Sequence, residues 1–223
     1  MNQVMVDLET MGTASNAAII AIGAVRFDPE EQKITDSFYE VIDLQSCIDM
    51  GLEIEASTVM WWMQQSKDAR KEFNCQGRPI SVALFNFRNW LGEDAVVWGN
   101  GAAFDNVILA NAYKKYGAEQ PWKFWNDRCY RTVKNLYPNV PFYRNGTYHR
   151  AVDDAESQAL HLMKILKEIG GDYWALIEKY NDLLKENKSL RKENDFLEKT
   201  GEAAQKQREQ FAEKVDRYLH NMR

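Results

Sequence analysis

Three acidic clusters lie far apart in this chain: Asp7-Leu8-Glu9-Thr10 near the start, Phe104-Asp105 in the middle, and the run from His149 to Asp154. If folding brings them together, their carboxylates form one site for divalent cations, and hard oxygen ligands favour Mg²⁺ or Mn²⁺ over zinc. His149, five positions before the last acid, adds a group that can take a proton from water. This set of residues predicts metal-assisted hydrolysis of a phosphodiester bond.

Each of these acids also has a purely structural explanation. Asp7 and Glu9 are two residues apart on a strand, so both carboxylates lie on one face, but exposed strands often carry such pairs. Asp105 begins a helix, where capping alone accounts for an aspartate. Asp154 lies in the first turn of a helix, where the dipole favours an acid, and the adjacent Asp153 competes for the same role. The metal site is therefore predicted only if the acids meet in the fold.

The elements that position these residues are typical of an α/β domain. Short apolar runs predict strands at residues 1–7, 17–27, 34–42 and 95–98. Helical spacing predicts helices at residues 57–65, 81–91, 104–116 and 151–169, the first two with serine N-caps. Strands come first and then alternate with helices, which predicts a mixed sheet flanked by helices.

The composition changes after Gly171, and the remaining residues have the pattern of a coiled coil. Leucines recur every seven residues, each three residues after a tyrosine or asparagine: Tyr173 and Leu176, Tyr180 and Leu183, Asn187 and Leu190, Asn194 and Leu197. Asparagine at such core positions favours a parallel two-stranded register. We therefore predict a globular domain at residues 1–171 and a tail at residues 172–223 that forms a homodimer. The alternative is one long helix packed on its own domain through Ile177 and Leu184.

The composition indicates the cellular compartment of the protein. The three cysteines are an odd number without metal-ligand spacing, which indicates thiols in a reducing compartment. We found neither a secretory leader nor the ~20 consecutive apolar residues that a membrane span requires. We therefore expect a soluble, cytoplasmic protein without a membrane partner.

The net charge of −5 does not favour a polyanionic partner, but the basic residues are unevenly distributed. Between Lys114 and Arg150 lie eight basic residues and two acids. This stretch ends beside His149, so it is placed to follow a phosphate backbone towards the acids. Ordinary surface charge is an equal alternative.

Taken together, the acidic clusters resemble the motifs of the DEDDh (DnaQ-like) 3′-5′ exonuclease family. The three motifs correspond to residues 7–10, residues 100–105 and residues 149–155, of which the last is the most specific. The Trp61-Trp62 segment and the chain length resemble the phage and bacterial subgroup that includes the DexA exonuclease. The resemblance covers roughly residues 1–170 and departs at Gly99, where many relatives carry a histidine that is not a ligand.

The resemblance implies a fold and a set of roles. The fold is a ribonuclease-H-like, mixed five-stranded sheet, with Asp7, Glu9, Asp105 and Asp154 holding two Mg²⁺ or Mn²⁺ ions and His149 acting as general base. Backbone groups of Thr10, Met11 and Gly12 would cradle the terminal nucleotide, and the Met11 side chain would wedge against its base. Of Trp61 and Trp62, one is expected in the core and the other is available for stacking.

The activity implied is removal of nucleoside 5′-monophosphates from the 3′ end of single-stranded nucleic acid in a bacterial or phage-infected cell. DNA is favoured, and RNA is the alternative because the motifs do not read the sugar. Two further alternatives remain: a coiled-coil scaffold with a retired nuclease domain, and an accessory subunit whose tail docks on a polymerase. Intact acids and an intact histidine argue against the scaffold.

Overall fold

The computed structural model describes residues 2–74, 76–92, 94–170 and 172–220, so Cys75 lies outside it. The chain divides into two compact units, Met1–Gly170 and Gly171–Arg223. The first unit contains one mixed sheet of five strands: β1 (Gln3–Thr10), β2 (Ile19–Asp28), β3 (Lys33–Val41), β4 (Val96–Gly99) and β5 (Asp127–Cys129). Their order is β3-β2-β1-β4-β5; β2 is antiparallel to both β1 and β3, whereas β1, β4 and β5 are parallel.

In the described part of this unit, six α-helices accompany the sheet: α1 (Leu44–Asp49), α2 (Ala56–Met63), α3 (Ile80–Leu91), α4 (Asp105–Lys115), α5 (Tyr130–Leu136) and α6 (Ala151–Glu168). Two short 3₁₀ segments lie at Ala69–Asn74 and Phe124–Asn126. The predicted sheet and the longer helices are confirmed, whereas α1, α5 and β5 were not anticipated. The predicted serine caps are wrong, because α2 and α3 follow Glu55 and Pro79, neither of which caps through its side chain.

The central strand β1 divides its side chains between two layers. Val4, Val6 and Leu8 point into a hydrophobic core that also contains residues of α3 and α4. Because side chains alternate along a strand, Asp7 and Glu9 point to the opposite face, where α6 packs on β1 and β2. The carboxylates of β1 therefore face α6.

A glycine brings α6 close enough to meet those carboxylates. A Cβ atom built on Gly23 of β2 would lie 2.2 Å from the backbone of both Ala151 and Val152. Only glycine permits this approach, so the first turn of α6 rests directly on β2. Since β2 pairs with β1, the early α6 residues lie beside Asp7 and Glu9.

The second unit contains one long helix, α7 (Asp172–His220). Its leucines Leu183 and Leu190 are 53% and 52% exposed. Four other positions of the predicted heptad have side chains outside the described part of the structure: Tyr173, Leu176, Tyr180 and Leu197. Among the residues that the structure describes, no helix is both long and apolar enough to span a membrane.

Candidate active site

Three chain segments bring acids together at the carboxyl end of β1. Glu9 and Asp154 are 7% and 6% exposed, and with His149 they offer ligand atoms that all lie within 4.8 Å of one another. Asp7 is close enough to Glu9, Asp105 and Asp154 for their charges to act on its own ionisation. The acids singled out in the sequence therefore meet in the fold, and this cluster resembles a cation site in the chemistry of its donors.

Asp7 has the most unfavourable electrostatic surroundings of the cluster. Burial raises its pKa well above the usual 3.8, and the charges of Asp105, Glu9 and Asp154 raise it further. One contact opposes this effect, because Gln158 Nε2 donates a hydrogen bond to Asp7 Oδ1 at 2.7 Å. A divalent cation would remove the repulsion that these neighbouring carboxylates create.

Asp105 is the first residue of α4, and its carboxylate also contacts the neighbouring strand β1. Its Oδ1 accepts a hydrogen bond from the backbone N–H of Leu8, 3.2 Å away on β1. Burial raises its pKa to about 7. A Cβ atom on Gly99 would lie 2.4 Å from Asn106 Oδ1 and 3.1 Å from Asp105 Oδ2, so the glycine at this position lets α4 begin against β4.

The two adjacent aspartates of α6 have different partners. Asp154 lies near Glu9, and its carboxylate accepts hydrogen bonds from the Arg144 guanidinium and, at 3.0 Å, from the His149 backbone N–H. Asp153 accepts instead from Arg150 and from the Thr147 backbone N–H, both at 2.7 Å. Asp153 therefore holds the loop before α6, and Asp154 is the member of the acidic cluster.

His149 has a backbone conformation that few non-glycine residues adopt, with φ of 59°. Three aromatic rings pack edge-on against its imidazole, with centroids 4.0 Å away for Tyr148, 5.0 Å for Trp61 and 5.8 Å for Trp62. Burial lowers its pKa below 6.5, although the Asp154 charge acts in the other direction. The ring is therefore neutral at pH ~7 and able to accept a proton.

A second histidine anchors the loop that carries the first. His161 Nε2 lies 3.0 Å from the Val140 carbonyl oxygen, which can only accept, so Nε2 donates. Nδ1 then accepts from the Tyr130 hydroxyl at 2.6 Å. Both ring nitrogens are engaged in structural bonds between α5, α6 and the segment before His149.

A cavity of about 400 Å³ opens beside Glu9. Thr10 and Gly12 line it, together with Trp61 and Phe104. Met11 does not, because its side chain is 8% exposed within the core, and its backbone N–H and C=O bond Ala18 and Glu55. This burial does not favour the prediction that the Met11 side chain wedges against a base, which stays a prediction.

The two neighbouring tryptophans divide as helix geometry requires. Trp62 is 3% exposed, and its Nε1 donates to the Thr10 carbonyl at 2.9 Å. Trp61 is 41% exposed and lies between the cavity and His149. One is in the core and the other is available to a ligand.

Two residues that contact the acids were not identified from the sequence. Gln158 follows Asp154 by four residues, so it lies on the same face of α6, and that spacing was a usable signal. Arg144 was noted only as part of the basic stretch. Its ion pair with Asp154 and its position 4.1 Å from the Tyr148 ring depend on how the loop folds.

The chain matches known nucleases in sequence. A family model described as 3′-5′ exoribonuclease Rv2179c-like domain matches residues 2–166. The exodeoxyribonuclease of Enterobacteria phage T4 is 26% identical in an alignment of 156 residues that covers 57% of this chain and 68% of the phage protein. One of these names refers to RNA as the substrate and the other to DNA.

Solved structures share the fold. The nuclease domain of 3′hExo, a DEDDh family member bound to rAMP, superposes with a TM-score of 0.51 at 13% identity, over 74% of this chain and 92% of that domain. Exonuclease I of E. coli, in a zinc-bound complex with single-stranded DNA, gives a TM-score of 0.54 at 14% identity, over 80% and 43% of the two chains. The predicted ribonuclease-H-like fold is confirmed.

Proposed function

Because this chain belongs to the family of 3′-5′ exoribonuclease Rv2179c-like domains and is a 3′-5′ exonuclease of the DEDDh type, we propose that it degrades single-stranded nucleic acid, with DNA preferred to RNA. The product is a nucleoside 5′-monophosphate. One observation carries the proposal: Asp7 lies close to three other carboxylates at the end of β1, and two of these, Glu9 and Asp154, form a cluster with His149.

The residues present fit divalent cations. Asp154 and Glu9 offer oxygen ligands within 4.8 Å of each other, and burial together with the neighbouring carboxylate charges raises the pKa of Asp7, an effect that a cation opposes. We assign Asp7, Glu9, Asp105 and Asp154 as ligands of two Mg²⁺ or Mn²⁺ ions. Such ions, when bound, lower the pKa of water and stabilise charge on the attacking and leaving oxygens.

His149 is the general base in this proposal. Its imidazole lies with Glu9 and Asp154 in one cluster, and its lowered pKa leaves it ready to take a proton from water. The rings of Trp61, Trp62 and Tyr148 restrict its orientation. Holding one catalytic group in a fixed orientation lowers the entropic part of the barrier.

Thr10 and Gly12 are assigned to the terminal nucleotide, since both line the cavity beside Glu9. Trp61 is half exposed there and offers its ring for stacking with a base. Met11 supports this loop from the core side, through its backbone bonds to Ala18 and Glu55. Its contribution to binding is therefore indirect.

The choice of polymer is tested with the purified full chain. Single-stranded DNA and RNA oligomers of matched sequence, labelled at the 5′ end, are incubated with Mg²⁺, Mn²⁺ or EDTA. We expect a metal-dependent ladder that shortens from the 3′ end, faster for DNA. Faster RNA cleavage would favour an exoribonuclease, as the family description suggests. No cleavage by folded protein would overturn the proposal and favour the scaffold alternative.

We also propose that residues 172–223 form a dimerising tail on an exonuclease domain of residues 1–171. The exposed Leu183 and Leu190 support pairing with a second copy through α7. The free thiols of Cys47 and Cys129 support a reducing, cytoplasmic location in a bacterial or phage-infected cell. Light scattering of the full chain tests the dimer.

A further inference from the structure

A second surface with the chemistry of a nucleic-acid site lies at the far end of α4 from the acids. It surrounds a depression of about 700 Å³ whose lining includes Lys114, Trp122, Lys123, Phe124 and Trp125. The composition of the run Trp122, Phe124 and Trp125 predicts rings that pack in the interior, and Trp122 is buried. Phe124 and Trp125 contradict that prediction, because they are 73% and 62% exposed.

These two exposed rings form a fixed platform. Their centroids are 5.0 Å apart, with the planes 78° from parallel. The backbone beneath them is anchored, because Arg128 Nη1 donates to the Trp125 carbonyl at 2.8 Å and Asn126 Nδ2 donates to the Ala95 carbonyl at 3.2 Å. Adjacent large aromatic rings that are fixed in a solvent-exposed position indicate a binding surface.

The charge around the platform selects the partner. Lys114 and Lys123 line the depression and are exposed, and Lys115 follows on the same helix end, while Glu119 is the acid in the lining. Aromatic rings that stack bases, combined with lysines that contact phosphates, are what single-stranded nucleic acid requires. Two cations against one acid in the lining favour a polyanion over an uncharged partner.

One exposed face of α4 connects the platform to the catalytic cavity. Phe104 lines that cavity, and Val107, Asn111 and Lys114 follow at helical spacing, with Val107 41% exposed. Asn111 Nδ2 donates to the Ser15 carbonyl at 2.9 Å, which ties this face to the loop after β1. From Phe104 to Lys114 the helix rises about 15 Å, the length of roughly four stacked nucleotides.

We propose that Phe124, Trp125, Lys114 and Lys123 bind the substrate strand roughly four nucleotides before its 3′ end. This inference rests on the proposed function, because it extends the path of the same strand. The basic stretch at residues 114–150 then has two roles. Its first lysines contact the incoming strand, and its last arginines, Arg144 and Arg150, pair with Asp154 and Asp153. Substrates too short to reach the platform are cleaved without its help.

The test compares a trinucleotide with an oligomer of about 12 nucleotides, which is within the range of single-stranded sites. Phe124→Ala with Trp125→Ala, and separately Lys114→Glu with Lys123→Glu, should weaken anisotropy-measured binding of the longer oligomer in EDTA at least about tenfold. With metal, KM for the longer oligomer should rise while kcat and trinucleotide turnover stay at wild-type values. Phe85→Ala, an exposed aromatic of α3, is the matched control and should change neither.

Each outcome separates this inference from the function on which it rests. If the wild-type chain shortens neither polymer, the proposed function fails. If it shortens them but both double variants bind and cleave the longer oligomer as the wild type does, the platform proposal alone is overturned. Equal losses on both substrate lengths would also overturn it, because they would indicate damage to the catalytic cavity.

Discussion

The exonuclease unit and helix α7 use apolar side chains in opposite ways. In the first unit, Val4, Ile22 and Leu109 are 0% exposed, and the sheet is covered by packed helices. Along α7, Leu183 and Leu190 remain about half exposed. A unit that buries its own apolar surface is complete as a folding unit, whereas the dimer that we propose would cover these leucines of α7 with a second helix.

The two regions also differ in how their charged side chains are arranged. In the first unit burial raises the pKa of both Asp7 and Asp105 at a cost in stability, and the charges of neighbouring carboxylates raise that of Asp7 further. Along α7, charges of both signs lie close together, as in the pair of Lys185 and Asp182 at 3.1 Å. Unfavourable arrangements that a fold retains are often functional. Substitutions in the first unit should therefore change rates, and those in α7 should change assembly.

The largest effect is expected from Asp7→Ala. This change removes a carboxylate from the centre of the acidic cluster, so metal binding and Mg²⁺-dependent cleavage should both be lost, with a rate decrease of more than about 100-fold. Calorimetric titration with Mn²⁺ and the oligomer assay measure the two effects. The exposed Asp49 supplies the control, because Asp49→Asn should leave both unchanged. An Asp7→Ala protein with wild-type activity would refute the assigned site.

Replacing the two histidines should give different results. His149→Asn removes the proposed base, so kcat should fall roughly 10²–10⁴-fold while Mn²⁺ affinity stays near the wild-type value. His161→Asn breaks the bonds to Tyr130 and Val140, so its main effect should be a lower Tm. A large loss of Mn²⁺ affinity in His149→Asn would show instead that this imidazole is a metal ligand.

The parts of this fold that could be predicted are those with long, repeated patterns. The apolar run of β1 and the periodicity of α6 span enough residues to be recognised. The strand β5 has three residues, Asp127–Cys129, too few for any period to show. It forms because Asn106, on α4, bonds both Asp127 and the carbonyl of Val97. Such an element depends on tertiary contacts alone.

The candidate site shows the same limit at the level of side chains. Acids at motif spacing were identified, and the family resemblance assigned Asp154 rather than Asp153 to the metal site. The local sequence alone left both open, because neighbouring helix residues point about 100° apart and only the packing of α6 decides which of them faces β1. Local composition also predicted that Phe124 and Trp125 pack in the interior, but the segment that carries them lies on the surface. Their exposure follows from the position of the 3₁₀ turn outside the sheet, which no local pattern encodes.

A smaller effect is expected on stability without metal. Asp105 has a pKa of about 7 when folded and an ordinary value of 3.8, so between these values the folded state holds a proton that the unfolded chain has released. Its contribution to stability is therefore full below the lower value and is lost as pH rises through the higher one. In EDTA, the wild-type Tm should fall relative to the Tm of Asp105→Asn as pH rises from about 5 to 8. For a protein of this size, each kcal/mol of lost stability lowers Tm by roughly 2–4 °C.

Differential scanning fluorimetry measures this difference. The histidines are common to both proteins, so their titration cancels in the comparison. Adding Mn²⁺ at the upper pH should raise the wild-type Tm more than that of Asp105→Asn, because the bound ion stabilises the ionised carboxylate. Parallel Tm curves for the two proteins across this pH range would contradict the raised pKa of Asp105.

The smallest effect on chemistry, and the sharpest on assembly, is expected from Leu183→Asp with Leu190→Asp. Charges at these half-exposed positions of α7 would repel in a paired coiled coil, so the full chain should become monomeric by light scattering. Turnover of a trinucleotide should stay within about twofold of wild type, since the acids lie in the first unit. Ser189→Asp provides a control for added charge at an exposed position of α7 that lies outside the leucine and asparagine core positions of the heptad. If the Leu variant and the wild type are both monomers, the proposed pairing of α7 with a second copy is overturned. If activity falls together with the dimer, the acids depend on assembly and the two regions are not independent.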